Sequence, residues 1–425
     1  MNFFNKAKTL TLLACAAGVA FAAPTIEIGT WGNFCKGAVT FSFDDNTPKQ
    51  LSVAQPMFDA KGFRMTLNTA TSTMSPNWSG LKNAFAKGHE IASHSVSHVD
   101  LSTSSNVDNE CKNSKSSIEQ NVPGAKCVTI AYPYCNKPSE STLSKYFIAG
   151  RTCSGQTISS SETNFFGLSS IICGNQGKNS EGDITGIVNQ AETEGKWAVF
   201  LIHCIDGGEA TSDYSPIASS TIKAVLDKLD TKRSTMWVET FGNIVRYMKE
   251  RKAATVSVTS SDDKSIKLTL KDNLDDEIYN YPLSLRTEMP AGWTKPTVTQ
   301  NGKAVKDTVV TVNSKSYIMF QAVPDAGEIV LSDNATSIKE QSKIFKAGKM
   351  VLIDNNILSV NSHQFSGSNI DVSLLGLNGK VIAKYTLSNS ESSVALPSKK
   401  LGNETYFVKV SDGRKTYTEK VTPQL

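Results

Sequence analysis

The sequence predicts a parallel α/β domain, sheet or barrel, followed by two small all-β modules. Three observations carry that prediction. From residue 25 to about 252, short apolar runs alternate with helical stretches, the order expected when parallel strands are joined by crossover helices. From about Ala253 to residue 333 the chain turns to short runs of alternating apolar and polar residues, the period of half-buried strands. Residues 350–425 keep this β texture and place Asn378-Gly379 between Val372-Ser373-Leu374 and Val381-Ile382-Ala383, a strong hairpin signal.

In chain order, Lys6 and Lys8 precede an apolar run over 10–21 and a small-x-small site, Ala20-Phe21-Ala22, before Pro24. That pattern reads as a secretory signal peptide over 1–22, too short to span a bilayer. A buried N-terminal helix, or a lipoprotein site at Leu12-Leu13-Ala14-Cys15, are the competing readings; Leu13 fits the latter poorly. In the domain over 25–252, strands are expected at 38–43, 65–68, 197–203 and 235–238. Helices are expected at 51–61, 78–87, 222–229 and 241–252. Residues 253–333 hold Thr255-Val256-Ser257-Val258 and Ile266-Lys267-Leu268-Thr269-Leu270, with turns at Asn301-Gly302 and Asp325-Ala326-Gly327, which is the texture of a β-sandwich. Residues 334–349 are polar and lysine-containing, a linker, and 350–425 form the last β module, with a sorting or accessory role.

Composition limits the function. At 425 residues, 39% hydrophobic and 20% charged, the chain is long enough for two or three globular domains. Its formal charge of +4 includes Lys6 and Lys8 of the leader, so the exported chain is close to neutral. A nucleic-acid partner would call for a concentrated basic face; a neutral, polar polymer suits this chain better. After the leader no segment has the roughly 18 unbroken apolar residues of an integral membrane helix. Seven cysteines follow the leader, all in the first half of the chain. Export permits disulfides, and the odd number leaves at least one thiol. There is no CxxC pair, so a cysteine-based zinc site is not expected.

Three pieces carry chemistry. Asp44-Asp45 directly follows the apolar strand ending at Phe43, and the carboxyl ends of strands are where α/β folds carry catalytic groups; a helix N-cap with a neighbouring acid is the plainer alternative. His94-Ser95-Val96-Ser97-His98 puts two imidazoles at i and i+4, which on one face of a helix lets both reach a single ion. With Asp45 they would form a His-His-carboxylate set that leaves positions open for water and substrate. His203 ends the apolar run Phe200-Leu201-Ile202, placed either to face the site or to sit as a hydrogen-bonded core histidine.

Taken together, Thr40-Phe41-Ser42-Phe43-Asp44-Asp45, His94-Ser95-Val96-Ser97-His98, Tyr132-Pro133-Tyr134 and Leu201-Ile202-His203 resemble, in order and spacing, the motifs of the polysaccharide deacetylases of carbohydrate esterase family 4 (the NodB-homology domain). Met236-Trp237-Val238-Glu239-Thr240-Phe241-Gly242 and Tyr247-Met248-Lys249-Glu250-Arg251 resemble that family's closing strand and helix. The resemblance covers about half of the chain. It implies a distorted (β/α) barrel in which Asp45, His94 and His98 hold zinc or a similar divalent ion such as cobalt. Asp44 would be the general base, His203 the general acid, and the backbone N–H of Tyr134 an oxyanion donor. Pro133, Tyr134 and Leu201 would contact substrate, Leu201 at the acetyl methyl. One departure stands out: the third motif's usual arginine is here Ala131, with Arg151 as the candidate substitute.

Residues Leu377-Asn378-Gly379-Lys380-Val381 and the run from Gly402 to Val410 resemble C-terminal sorting domains of secreted bacterial proteins. The expectation is therefore a secreted or cell-surface metal-dependent hydrolase that removes O- or N-acetyl groups from a polysaccharide, engaging secretion or surface machinery through its C-terminal domain. The alternative is a non-catalytic glycan-binding protein on a degenerate deacetylase fold.

Overall fold

The computed structural model describes residues 24–208, 214–334, 350–354, 357–360, 365, 369–388, 393–396 and 404–422. The leader, the linker from 335 onward and His363 lie outside them. The chain divides into two compact units, Met1–Asp333 and Asn334–Leu425.

The first unit runs through β1 (Ile26–Ile28), β2 (Gly37–Phe43), α1 (Gln55–Lys61), β3 (Thr66–Thr69), α2 (Trp78–Ala86), β4 (Glu90–Ser93), α3 (Val107–Asn121), β5 (Thr129–Ala131), α4 (Glu140–Leu143), β6 (Ala149–Arg151), β7 (Ile171–Ile172), α5 (Glu181–Glu194), β8 (Trp197–Ile202), α6 (Ser219–Thr231), β9 (Met236–Val238) and α7 (Phe241–Ala253). Seven strands pair in the order β6-β5-β4-β3-β2-β8-β7, and β9 joins β2. Every pairing is parallel.

Central β2 and β8 are buried along their whole length. Helices cover the sheet, so both faces of these strands are apolar, as parallel strands require. Phe41 lies opposite Phe200 and Phe43 opposite Ile202, with Phe58 of α1 packed edge-on against Phe41 at 5.1 Å between ring centres. One edge of β2 is shared: residues 37–39 pair with β9, while Ser42 and Phe43 pair with β3. Between β6 and β8, Leu168 bridges to Arg151 and Ile171 and Ile172 pair with β8. The sheet therefore curls into a distorted (β/α) barrel.

Two antiparallel sheets follow. One orders β1, Leu283–Glu288, Lys315–Ala322 and Asp307–Val312; the other orders Thr255–Ser261, Ser265–Lys271, Ile329–Asp333, Pro296–Gln300 and Lys303–Ala304. The N-terminal β1 is thus a strand of the sandwich, Ile26 opposite Thr287. Trp237, Phe241, Tyr247 and Met248 share one apolar cluster with Leu268, Leu283, Leu285 and Phe320, and Tyr247 Oη donates to Gly29 O at 2.7 Å. Barrel and sandwich meet through a common core along α7.

The second unit is all β. Its four-stranded sheet orders Val381–Ser388, Asn369–Leu375, Tyr406–Ser411 and Thr416–Val421, around a core that includes Ile370, Val372, Leu374, Val408 and Val410. The Asn378-Gly379 turn joins the first two of these strands, with Gly379 at φ 77°. Among the described residues no helix is long and apolar enough to cross a membrane.

Candidate active site

The carboxyl end of β2 carries the first group. Asp44 and Asp45 are 2% and 4% exposed, and two carboxylates so buried demand partners. Asp44 Oδ1 accepts from Asn68 Nδ2 of β3 at 2.8 Å, and Asp44 Oδ2 accepts from Arg151 Nη2 of β6. Arg151 is itself 2% exposed and donates through Nη1 to Ser170 Oγ at 2.9 Å. The chain then turns sharply, with Asp45 and Asn46 at φ 75° and 54°, conformations an asparagine tolerates better than most residues. Thr47 Oγ1 and Gln50 Nε2, each 2.9 Å from His203 O, fasten this turn to the end of β8.

Ala131 is the in-register neighbour of Arg151 across the β5–β6 pair. The guanidinium missing from the third motif is supplied from the next strand, by the residue alongside the vacant position. Arg151 is thus the substitute that the sequence offered.

Residues 94–98 are not helical, contrary to the i, i+4 reading. They form a loop after β4, with Ser95 and His98 at φ 66° and 55°. Its polar side chains satisfy backbone donors that a helix would have used: Ser93 Oγ accepts from Ser95 N, Ser95 Oγ from His98 N, and Glu110 Oε2 of α3 from Val96 N and Ser97 N. The imidazoles still converge, with ring centres 4.8 Å apart. His94 Nδ1 donates to Ala131 O at 2.8 Å; a carbonyl only accepts, so the Nε2 lone pair is left facing the cleft. Asp45 Oδ1 lies 3.4 Å from His94 Nε2 and 3.3 Å from His98 Nε2.

That triangle fits a divalent ion. Ligand atoms about 2.05 Å from a tetrahedral centre stand about 3.4 Å apart, close to both observed separations. The field agrees. Burial disfavours charge on His94, yet Asp44 and Asp45 outweigh it and raise its proton affinity. Burial likewise opposes ionisation of Asp45, and its hydrogen bonds with His94 and His98 hold the carboxyl well below the usual range. A pocket that draws a proton to a buried imidazole also draws a cation.

The remaining residues complete a cavity of about 490 Å³ over the ends of the strands. Leu201 lines it, as does Ile172 from β7, and His203 stands two residues beyond Leu201 on the same side of β8. Burial lowers the proton affinity of His203, opposed by Asp44 and Asp45. Its Nδ1 is buried with no hydrogen-bond partner among the described residues. Tyr134, at φ 56°, stacks edge-on against His98 at 5.0 Å between ring centres. Pro133 is buried at the start of that turn, and its neighbours Tyr132 and Tyr134 line the cavity. A Cys135–Cys153 disulfide ties the turn to the chain just beyond Arg151; the other five described cysteines are buried. Asn68, Tyr214 and this disulfide were not read from sequence, because nothing local marks them.

Replacing Arg151 isolates the role of its ion pair with Asp44. Arg151→Met leaves a buried carboxylate unpaired and should cost about 3–5 kcal/mol of stability, read from urea unfolding. Adding Asp44→Asn should recover most of that loss. A single variant as stable as the parent would mean that Arg151 does not hold Asp44.

Fold and centre together define a distorted (β/α) barrel with paired aspartates and three histidines gathered at the strand ends. Residues 32–146 match the polysaccharide deacetylase family, and residues 354–423 match the secretion system C-terminal sorting domain. This chain carries a polysaccharide deacetylase domain followed by a secretion system C-terminal sorting domain. A gellan lyase from a Bacillus species is 27% identical over 334 residues, 73% of this chain; the chain spans 13% of that protein's length. Among solved structures, the Xyl-CE4 domain of a multidomain xylanase from the hindgut metagenome of Trinervitermes trinervoides is 19% identical, covering 51% of this chain and 91% of that one, at a TM-score of 0.35. A putative polysaccharide deacetylase from Mycobacterium smegmatis is 14% identical, covering 57% and 98%, at 0.41.

Proposed function

We propose that this chain is a secreted, divalent-metal-dependent hydrolase that removes acetyl groups from a polysaccharide. The supporting observation is the Asp45 oxygen placed 3.4 and 3.3 Å from two imidazole nitrogens, with Asp44 Oδ2 only 3.8 Å from His94 Nε2. Asp45, His94 and His98 would hold a divalent ion, zinc or cobalt, which when bound would supply Lewis acidity and make water more acidic. Asp44, oriented by Arg151 and Asn68, takes the proton of the attacking water. The backbone N–H of Tyr134 donates to the oxyanion that forms at the acetyl carbon. His203 returns a proton to the departing sugar oxygen or nitrogen. Leu201 and Ile172 offer the apolar wall for the methyl group.

The non-catalytic alternative rests on Ala131 and the two β modules; the guanidinium of Arg151 beside Asp44 weighs against the first of these. Signal-peptide removal over 1–22 and the sorting tail would bring the enzyme to the cell surface or beyond, where acetylated plant-wall or similar environmental polysaccharide is the substrate. Purified protein is expected to release acetate from acetylxylan or from chitooligosaccharides, the two arms telling ester from amide. Chelator should abolish release, and zinc or cobalt should restore it. No acetate from either substrate, with metal bound, would defeat the proposal.

A further inference from the structure

Seven large apolar side chains are left exposed among the described residues: Val99, Tyr134, Tyr214, Val309, Leu377, Val381 and Ile382. The two aromatic ones, Tyr134 at 65% and Tyr214 at 46% exposure, both border the catalytic cavity. Exposed aromatic surface gathered at a cleft marks a binding site more than scattered apolar residues do. Each ring sits edge-on against a histidine of the site: Tyr134 on His98 at 5.0 Å, and Tyr214 on His203 at 4.7 Å.

Strand order places the reacting groups between them. Tyr134 follows β5 and Tyr214 follows β8, and β4, β3 and β2 lie between those strands. From the ends of these three come His94, Asn68 and Asp44. Tyr214 is also held in place. Its carbonyl accepts from Cys204 Sγ at 3.4 Å, and the adjoining Ser215, 2% exposed, donates to Cys173 O at 2.8 Å and accepts from Gln176 N at 3.1 Å. The ring is therefore presented to the cleft from an anchored backbone.

We infer that Tyr214 is a sugar-stacking residue on the His203 side of the cleft, paired with Tyr134 across it, so that the site takes an internal unit of a glycan chain. The inference rests on the deacetylase reading and adds to it the substrate's length and the position attacked. The apolar C–H face of a pyranose packs on the negative face of an aromatic ring. One platform on each side of the reacting centre grips the units flanking the acetylated one. An end unit or a single sugar fills only part of that span.

The test compares Tyr214→Ala, Tyr214→Trp and the parent, each loaded with metal, on an acetylated hexasaccharide and on an aryl acetate. Losing one stacking contact should lower kcat/KM on the hexasaccharide about tenfold, mainly through KM. The aryl acetate should be turned over within about twofold of the parent, and Tyr214→Trp should restore the hexasaccharide rate. Mass-spectrometric mapping should find the first acetyl groups lost from internal units. Equal losses on both substrates would make Tyr214 a wedge that only props His203. An unchanged hexasaccharide rate, or first loss at a chain end, would also overturn the inference. Calorimetric binding of a deacetylated hexasaccharide reads the same contact without turnover. Weaker binding in Tyr214→Ala alone supports the platform even if no acetate is released, and equal binding rejects it.

Discussion

His94→Ala is expected to lose metal and turnover together, on every acetylated substrate. His94 is 2% exposed, and its orientation is set by the bond from Nδ1 to Ala131 O. Removing one of three protein ligands abandons the charge stabilisation that a bound ion gives the transition state. That is several kcal/mol, or about a thousandfold or more in rate. Elemental analysis and acetate release measure the two losses separately. Metal retained at parental affinity would remove His94 from the binding set.

His203→Ala should separate proton donation from metal chemistry. The variant is expected to bind metal normally and to lose about two to four orders of magnitude in rate. Burial pushes the proton affinity of His203 down, which makes its protonated form a stronger acid. The buried Nδ1 has no hydrogen-bond partner among the described residues, while Asp44 and Asp45 oppose the effect of burial. The loss should therefore follow the leaving group: largest for an N-acetyl sugar, where the amine departs poorly unprotonated, and smallest for an aryl acetate. Equal slowing of both, with metal in place, would mean that His203 shapes the cavity instead of donating a proton.

Legibility followed the physics of each element. The strands over 38–43 and 197–203 were readable because burial on both faces writes an unbroken apolar run; they appear as Gly37–Phe43 and Trp197–Ile202. Helix α3 escaped notice because it turns only Glu110, Cys111, Ser114 and Ile118 inward, too polar a stripe to stand out. The short β5, β6 and β7, two or three residues each, write too few positions for any period to show. Asp45, His94 and His98 were legible as a set, although the loop after β4, held by Ser93, Ser95 and Glu110, replaces the helix expected there. A four-residue spacing brings two imidazoles to one point by either route.

The sequence by itself determined a parallel α/β domain with candidate acid-base and metal-ligating residues at its strand ends, since residue type and strand-end position are local properties; the barrel was implied there only by the family resemblance. Tertiary structure alone decided what surrounds them. Arg151 reaches Asp44 because β5 and β6 pair with Ala131 beside Arg151, and register across parallel strands is set by the packing of the whole sheet. Tyr134 and Tyr214 flank one cleft because three strands fold between theirs, and β1 completes a sandwich whose partner strand lies more than two hundred residues away. Such contacts join segments that are remote in the chain, so no local pattern records them.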